Sequence, residues 1–163
     1  KNHDRMLDIF QQIVSEKKDV MLCLVGPKEG LYKEIKEKTV QKGLEDKVYF
    51  AGKQENIRRY LSAMDGFLFP SVFEGVPFAL IEAQANGLAC VMSEAVSEEA
   101  VVFPERVRRL SLDRDNIQWA AAVMAMSSMN REAADLIKMR LSDAHFNIET
   151  EAKRLKDLYY HTR

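Results

Sequence analysis

The chain has 163 residues, with 24 Lys and Arg residues against 25 Asp and Glu residues, and a formal net charge of −1. This length suits a single domain that buries about 70% of its unfolded surface without help from disulfides or metals. The balanced charge excludes the global positive excess of a nucleic-acid-binding protein. We therefore predict no nucleic-acid partner and expect any anionic ligand to be held locally.

Cysteine usage and hydropathy indicate the cellular compartment of the protein. Cys23 and Cys90 both lie in apolar runs typical of strands, which favours the reduced, packed thiols of a cytosolic protein. No apolar run approaches the roughly 20 residues of a membrane span, and the first residues lack the apolar core of a signal peptide. We predict a cytoplasmic protein whose contact with a membrane, if any, is peripheral and at the inner face.

Strands and helices alternate along most of the chain. Hydrophobic periodicity predicts helices over 4–17, 31–42, 55–63, 78–86, 116–129, 132–144 and 149–160, and strands over 19–26, 47–52, 66–71, 88–93 and 107–110. Strands that are apolar on both faces are typical of a parallel sheet with helices on both sides. The predicted fold class is therefore α/β.

Ligands of such sheets bind at the carboxyl ends of the strands, which places the loops after Gly26, Gly52 and Ser71 together. The first loop lacks the Gly-x-Gly-x-x-Gly pattern of a dinucleotide fold. The chain also lacks the Gly-x-x-x-x-Gly-Lys-Ser/Thr pattern of a phosphate loop. Neither NAD nor a phosphate-loop nucleotide is predicted.

The loop that follows the third of these strands carries two carboxylates, Glu74 and Glu82, with seven residues between them. Gly75 permits an unusual backbone turn, and Pro77 suits the first position of the helix that follows. A helix N-terminus of this kind binds phosphate. Glu82 lies roughly 6 Å along the helix from Phe78 and among apolar neighbours, where an ionised group is costly unless something binds it. We predict a phosphate at the turn and sugar hydroxyls at the two carboxylates.

This segment resembles the Glu-x7-Glu signature of retaining glycosyltransferases with the GT-B fold. The resemblance rests on the runs from Phe69 to Pro77 and from Ile81 to Gly87. Weaker matches from Ser93 to Glu99, and at Leu112 and Trp119, resemble members that build exopolysaccharide and capsule. The resemblance implies a Rossmann-like parallel sheet with helices on both faces, forming the C-terminal, donor-binding half of a GT-B enzyme.

Site roles follow from the resemblance, residue by residue. It implies that Glu74 contacts the transferred sugar, that Glu82 binds the ribose, and that Lys1 neutralises the diphosphate. The remaining implied contacts are backbone groups for the diphosphate around Gly75, Val76, Phe78 and Ala79, and a loop facing the base at Gly52, Lys53 and Gln54. Glu99 matches a frequent family glutamate without an assigned role. The implied donor is a nucleotide sugar, most commonly of UDP, with no cofactor and no metal required.

The resemblance also implies parts outside residues 1–163. An N-terminal domain would hold most of the sugar or lipid-linked acceptor, and a first strand ahead of Lys1, ending in a Gly-Arg pair, would be the central strand of this domain's sheet. Removing a central strand leaves backbone groups unpaired in mid-sheet, so another segment must take its place if the chain is compact. We expect this chain alone to bind the donor without transferring the sugar.

Two other functions remain open from the sequence. A GT-B relative with a different reaction, such as a nucleotide-sugar epimerase, would keep the same residues, and so would a noncatalytic nucleotide-sugar binding module.

Other charged groups are assigned structural roles or left open. Asp113 or Asp115 is expected to cap the following helix rather than to hold a metal. A short basic cluster, Arg106, Arg108 and Arg109, is weak evidence for contact with anionic lipid.

Overall fold

The computed structural model describes residues 1–161. In chain order its elements are α1 (His3–Glu16), β1 (Leu22–Val25), α2 (Tyr32–Gln41), β2 (Val48–Gly52), α3 (Ile57–Ala63), β3 (Gly66–Phe69), α4 (Phe78–Ala85), β4 (Ala89–Ser93), β5 (Val107–Leu110), α5 (Asn116–Ser127), α6 (Ala134–Asp143) and α7 (Ile148–His161). Every predicted helix and strand is present, with bounds that differ by a few residues at most. None of these helices is both long enough and apolar enough to cross a membrane.

The strands form two parallel sheets, which confirms the predicted α/β class. β1 pairs with β2, and the second sheet has the order β3-β4-β5. All five residues of β4 are buried, as expected of a strand that has a partner on each edge and helices on both faces.

Helices cover both faces of the three-stranded sheet. The side chains of β4, which point alternately to the two faces, show this directly. Val91 packs in a cluster with α1, α5 and residues of the first sheet, including Phe10, Val48 and Trp119. Cys90 and Met92 point to the opposite face and pack with Leu80 of α4. The first cluster draws residues from both sheets, so the two sheets share one core.

The place between β1 and β3 is not taken by a strand of the described chain. We expected another segment to take this place if the chain is compact, and among the described residues each of the two strands is hydrogen-bonded on one edge only. Between them lies a cavity of about 860 Å³ that every residue of β1 and β3 lines, and we call it the central slot. Because of this opening, β1 residues are only half-buried, although the sequence predicts burial on both faces.

Candidate functional site

Lys1 and Glu74 meet at the carboxyl end of β3. The ammonium of Lys1 lies 2.6 Å from Glu74 Oε1, and the two side chains are 45% and 27% exposed. The same ammonium lies 4.7 Å from the centre of the Phe69 ring, a cation–π contact at the last residue of β3. The structure thus brings into direct contact the residue expected to bind the transferred sugar and the residue expected to neutralise the diphosphate.

The ion pair sets the protonation of the carboxylate. Hydrogen bonding from the Lys1 ammonium lowers the pKa of Glu74, and this effect outweighs the partial desolvation that acts in the opposite direction. Glu74 is therefore ionised at neutral pH. An anion placed beside Lys1 would compete with Glu74 for the ammonium.

The backbone of Glu74 is held by the segment after β4. Its carbonyl accepts a hydrogen bond of 3.1 Å from the Ser97 amide, and Glu74 forms an isolated parallel bridge with Val96. Val96 is buried and packs in the core cluster of α4. These contacts fix the loop that carries the carboxylate.

Gln84 fixes the helix that follows. Its amide nitrogen donates to the carbonyls of Leu80 and Ala100 at 3.1 and 2.7 Å, and its Oε1 accepts from the amides of Val102 and Phe103 at 2.9 and 3.1 Å. The side chain is buried, and each of its polar atoms has partners. This network joins α4 to the chain segment between β4 and β5.

The turn between Glu74 and α4 is open to solvent. Gly75 is exposed, and Val76 and Phe78 are also exposed, Phe78 by 76%. Pro77 precedes the helix as its N-cap, and Ala79 is half-buried. Pro77 is thus one position earlier than predicted, and the backbone amides that begin α4 are close to the exposed turn.

The prediction of an unusual backbone at Gly75 is wrong. Gly75 does not have a positive φ, whereas Gly52, at the end of β2, does, with a φ of 72°. A Cβ at Gly75 would meet no atom within 4 Å. The turn therefore does not require glycine for its backbone, although glycine leaves the space above the turn free.

Glu82 lies on α4, and the prediction that its side chain lies among apolar residues is wrong. We expected an ionised group among apolar neighbours, but the side chain is exposed, while Ile81 and Ala83 beside it are buried. Neighbours in sequence on a helix point in different directions, so an apolar run does not bury each of its members. Glu82 also lines the carboxyl end of the central slot with Lys1 and Ala79.

The loop after β2 is attached to the end of β1. The Gly26 amide donates to the Gly52 carbonyl at 3.1 Å, and a Cβ at Gly52 would lie 3.4 Å from Lys28 Cε. Gln54 folds back to donate to the Ala51 carbonyl at 2.6 Å, whereas Lys53 is exposed. The first two predicted loops therefore do meet, at the carboxyl edge of the two-stranded sheet.

Three residues around the site were not singled out by sequence reasoning. Phe69, below Lys1, looks like any apolar strand residue, and no signal in the sequence distinguishes it. Gln84 is an amide in an otherwise apolar helical run, which is a signal for a buried polar anchor. Ser71 is fully buried three positions before Glu74, and hydrogen bonding from its hydroxyl also helps to lower the pKa of Glu74.

Other charged groups have structural roles. Asp115 caps α5 by accepting from the Gln118 amide at 2.7 Å, which confirms the predicted cap. Arg106 is buried and bonds to the Gly87 and Asn130 carbonyls, and Arg109 pairs with Glu98. Of the three arginines Arg108 alone is exposed, so the cluster does not form a continuous basic patch for anionic lipid.

Comparison with known proteins assigns the chain to a family. The family model described as glycosyl transferases group 1 matches residues 1–129. The glycosyltransferase EpsF of Bacillus subtilis is 31% identical over 160 residues, which are 98% of this chain and 41% of EpsF. The capsular polysaccharide biosynthesis glycosyltransferase CapH of Staphylococcus aureus is 25% identical over 162 residues, which are 98% of this chain and 44% of CapH.

Solved structures share the fold. HepE of Anabaena, in complex with UDP, superposes with a TM-score of 0.78 at 19% identity and covers 99% of this chain, which matches 45% of HepE. The pneumococcal O-GlcNAc transferase GtfA, in complex with UDP and GlcNAc, superposes with a TM-score of 0.73 at 18% identity, covering 99% of this chain and 33% of GtfA. These neighbours are GT-B glycosyltransferases, and the chain spans less than half the length of each protein compared.

Proposed function

The chain belongs to the group 1 glycosyltransferases, and from this premise we propose that it is the donor-binding half of a retaining enzyme that transfers a hexose from a nucleotide sugar. The observation that carries the proposal is the Lys1–Glu74 ion pair at the exposed turn that begins α4. This arrangement combines one cation, free amides at a helix N-terminus, and two carboxylates. Phosphates and sugar hydroxyls together require such groups.

Lys1 would bind the diphosphate. The side chain is half-exposed, and its present partner is a single carboxylate, so rotation toward a doubly charged anion costs little. The amides around Val76, Phe78 and Ala79 would provide hydrogen bonds from the positive end of the α4 dipole. The buried Ser71 hydroxyl, which also hydrogen-bonds toward Glu74, adds one more polar group at this corner.

The carboxylates would bind the sugars on either side of the diphosphate. Glu82 is exposed on α4, roughly 6 Å from its start, and would accept hydrogen bonds from the ribose hydroxyls. Glu74 is kept ionised by Lys1 and would accept hydrogen bonds from the transferred sugar. The loop Gly52-Lys53-Gln54 would face the base through its backbone.

The proposed chemistry explains these residue types. A nucleoside diphosphate gains negative charge as the glycosidic bond stretches, so a lysine and a helix N-terminus aimed at it bind the transition state better than the ground state. The acceptor hydroxyl would attack the anomeric carbon from the same face from which the leaving group departs. Attack on this face retains the anomeric configuration. The protein positions the reactants and stabilises charge, and the proposal includes no metal and no cofactor.

The proposed whole enzyme has an N-terminal domain that binds the acceptor, a growing saccharide or a lipid-linked one. Support comes from the relatives, which include EpsF and the capsular enzyme CapH and are each more than twice as long as the matched segment. Support for UDP comes from HepE, whose structure contains it. We place the enzyme in the cytoplasm, at most peripheral to the membrane, and expect residues 1–163 alone to bind donor without turnover.

A thermal-shift panel of UDP, GDP, ADP and their hexose conjugates tests the proposal, because a ligand that binds the native state raises Tm by mass action. We expect UDP and UDP-hexoses to raise Tm, and UMP, which lacks the second phosphate, to raise it less. A panel in which no nucleotide shifts Tm would overturn the proposal. A shift with UMP equal to that with UDP would contradict the diphosphate site.

A further inference from the structure

The segment directly after β4 holds the loop that carries Glu74. Residues 94–98 form this stretch, which we call the bracing segment, and two of its members contact Glu74 through the backbone. The Ser97 amide donates to the Glu74 carbonyl at 3.1 Å, and Val96 forms a parallel bridge with Glu74. The position of the Glu74 backbone therefore depends on where the bracing segment lies.

Arg109 of β5 holds the bracing segment in turn. Its guanidinium donates to the carbonyls of Glu94 and Val96 at 3.2 and 3.4 Å, and it pairs with the Glu98 carboxylate. Arg109 thus contacts every second residue of the segment, and its side chain is only 28% exposed. A guanidinium suits this arrangement because its planar fork of five N–H donors can serve several acceptors at once.

Other contacts fix the start and the apolar side of the bracing segment. The Glu94 amide donates to the Leu110 carbonyl at 3.0 Å, and the Ala95 amide donates to the buried Ser93 hydroxyl at 3.0 Å. The Val96 side chain is buried in the core cluster of α4. Arg109 adds the contacts on the polar side, between the segment and the edge strand of the sheet.

We propose that Arg109 is a positioning residue for the transferred sugar: by holding the bracing segment, it fixes the Glu74 carboxylate where the hydroxyls of that sugar would bind. This inference rests on the proposed function, which assigns Glu74 to the sugar. The groups proposed for the nucleotide, Glu82 and the amides that begin α4, belong to α4 and not to the bracing segment. Loss of Arg109 should therefore weaken binding of the hexose and leave binding of the nucleotide unchanged.

Glu74 itself reports on this link. Its pKa is lowered chiefly by hydrogen bonding from Lys1, with a smaller contribution from Ser71, and Arg109 is not among the described groups that shift it. Removing the charge of Arg109 therefore does not by itself change the titration of Glu74. A changed titration would show that the carboxylate has moved relative to Lys1.

The first test compares Arg109→Gln with Arg108→Gln by NMR titration of the Glu74 side-chain carboxyl carbon. Arg108 precedes Arg109 on β5, is exposed and points to the other face of the sheet, so its replacement removes the same charge as a control. We expect Arg109→Gln alone to raise the pKa of Glu74 toward that of a free carboxyl group and to speed hydrogen exchange of the Ser97 amide roughly tenfold. An unchanged Glu74 titration in Arg109→Gln, or the same change in both variants, would overturn the proposal.

A second replacement of the arginine is used if Arg109→Gln does not fold. Arg109→Lys keeps the charge and the apolar stem, but an ammonium lacks the fork that serves two carbonyls and a carboxylate together. We expect it to shift the titration of Glu74 in the same direction. A titration identical to that of the unaltered chain would again overturn the proposal.

The step from the bracing segment to Glu74 is tested at Ser97. This residue has a φ of −55°, which proline can adopt. Ser97→Pro removes the amide hydrogen that bonds to Glu74 together with the hydroxyl, whereas Ser97→Ala removes the hydroxyl alone. We expect the proline variant to raise the pKa of Glu74 and the alanine variant to leave it unchanged. Identical Glu74 titrations in the two variants would rule out this step, and the proposal with it.

The consequence for the sugar is measured by calorimetry with UDP, UDP-glucose and UDP-galactose. Arg109→Gln should weaken binding of the tighter of the two UDP-hexoses roughly threefold to tenfold and leave UDP affinity within about twofold. In a Glu74→Gln background the same substitution should have no further effect, because Arg109 acts through Glu74. An equal loss for UDP and the UDP-hexose, or an undiminished effect in the Glu74→Gln background, would overturn the proposal. If no nucleotide binds, the proposed function fails, while the Glu74 titrations still decide whether Arg109 positions Glu74.

Discussion

Lys1 and Glu74 form a 2.6 Å ion pair between the first residue of the chain and the loop after β3. Because hydrogen bonding from Lys1 lowers the pKa of Glu74 in the folded state, the pair stabilises the fold at pH values above the ordinary range of a carboxyl group. That stabilisation is lost as the pH falls through the lowered pKa. The contribution of this ion pair to stability therefore changes with pH only under acid conditions.

Replacing the lysine tests this link. We expect Lys1→Met to raise the pKa of Glu74 toward that of a free carboxyl group, as measured by NMR titration of the side-chain carboxyl carbon. The cost in stability at neutral pH should be under about 1 kcal/mol, because both side chains are partly exposed. Lys36→Met, at an exposed position of α2, is the control and should leave the Glu74 titration unchanged. An unshifted Glu74 in Lys1→Met would show that the two residues do not pair in solution.

Gln84→Leu should destabilise the fold. The substitution leaves the buried amides of Val102 and Phe103 without their acceptor, and this costs about 1–3 kcal/mol in the free energy of unfolding. Urea denaturation measures the loss. Gln118→Leu, an exposed position of α5, is the matched control and should change stability by less than about 0.5 kcal/mol. Equal losses in the free energy of unfolding for the two variants would contradict the anchoring role of Gln84.

The two thiols should differ in reactivity. Burial raises the pKa of Cys90 to about 12, so its thiolate is scarce at pH 8 and its side chain is inaccessible. Burial also raises the pKa of Cys23, but this residue is only half-buried and lines the central slot. We expect mass spectrometry to show Cys23 modified first and Cys90 only on unfolding. Comparable labelling of both in the native chain would contradict the packing of β4.

The order of the elements could be predicted from the sequence because strand and helix periods are local signals. Cys90, Val91 and Met92 illustrate this, since a strand apolar on both faces was expected and β4 is fully buried. The two sheets could not be predicted in the same way. Whether the edge of β1 has a partner depends on contacts between distant segments, which hydropathy does not record.

The sequence named the residues of the candidate site but not their contacts. The distance between Lys1 and Glu74 in sequence gives no hint of contact, and only the resemblance to a family placed them together. The setting of Glu82 was mistaken because its direction on α4 depends on which helix face meets the sheet. Arg106 looked like part of a surface cluster but bonds to carbonyls inside the fold, which a one-dimensional charge pattern cannot reveal.

The donor site is tested most directly by the affinity of Glu82→Ala for UDP, measured by calorimetry. Loss of hydrogen bonds from the ribose to a carboxylate should weaken UDP binding roughly 10- to 100-fold. Glu45→Ala, at an exposed position before the amino end of β2, is the control and should bind UDP like the unaltered chain. Our account predicts this contrast between the two variants. UDP affinity unchanged in Glu82→Ala would contradict it.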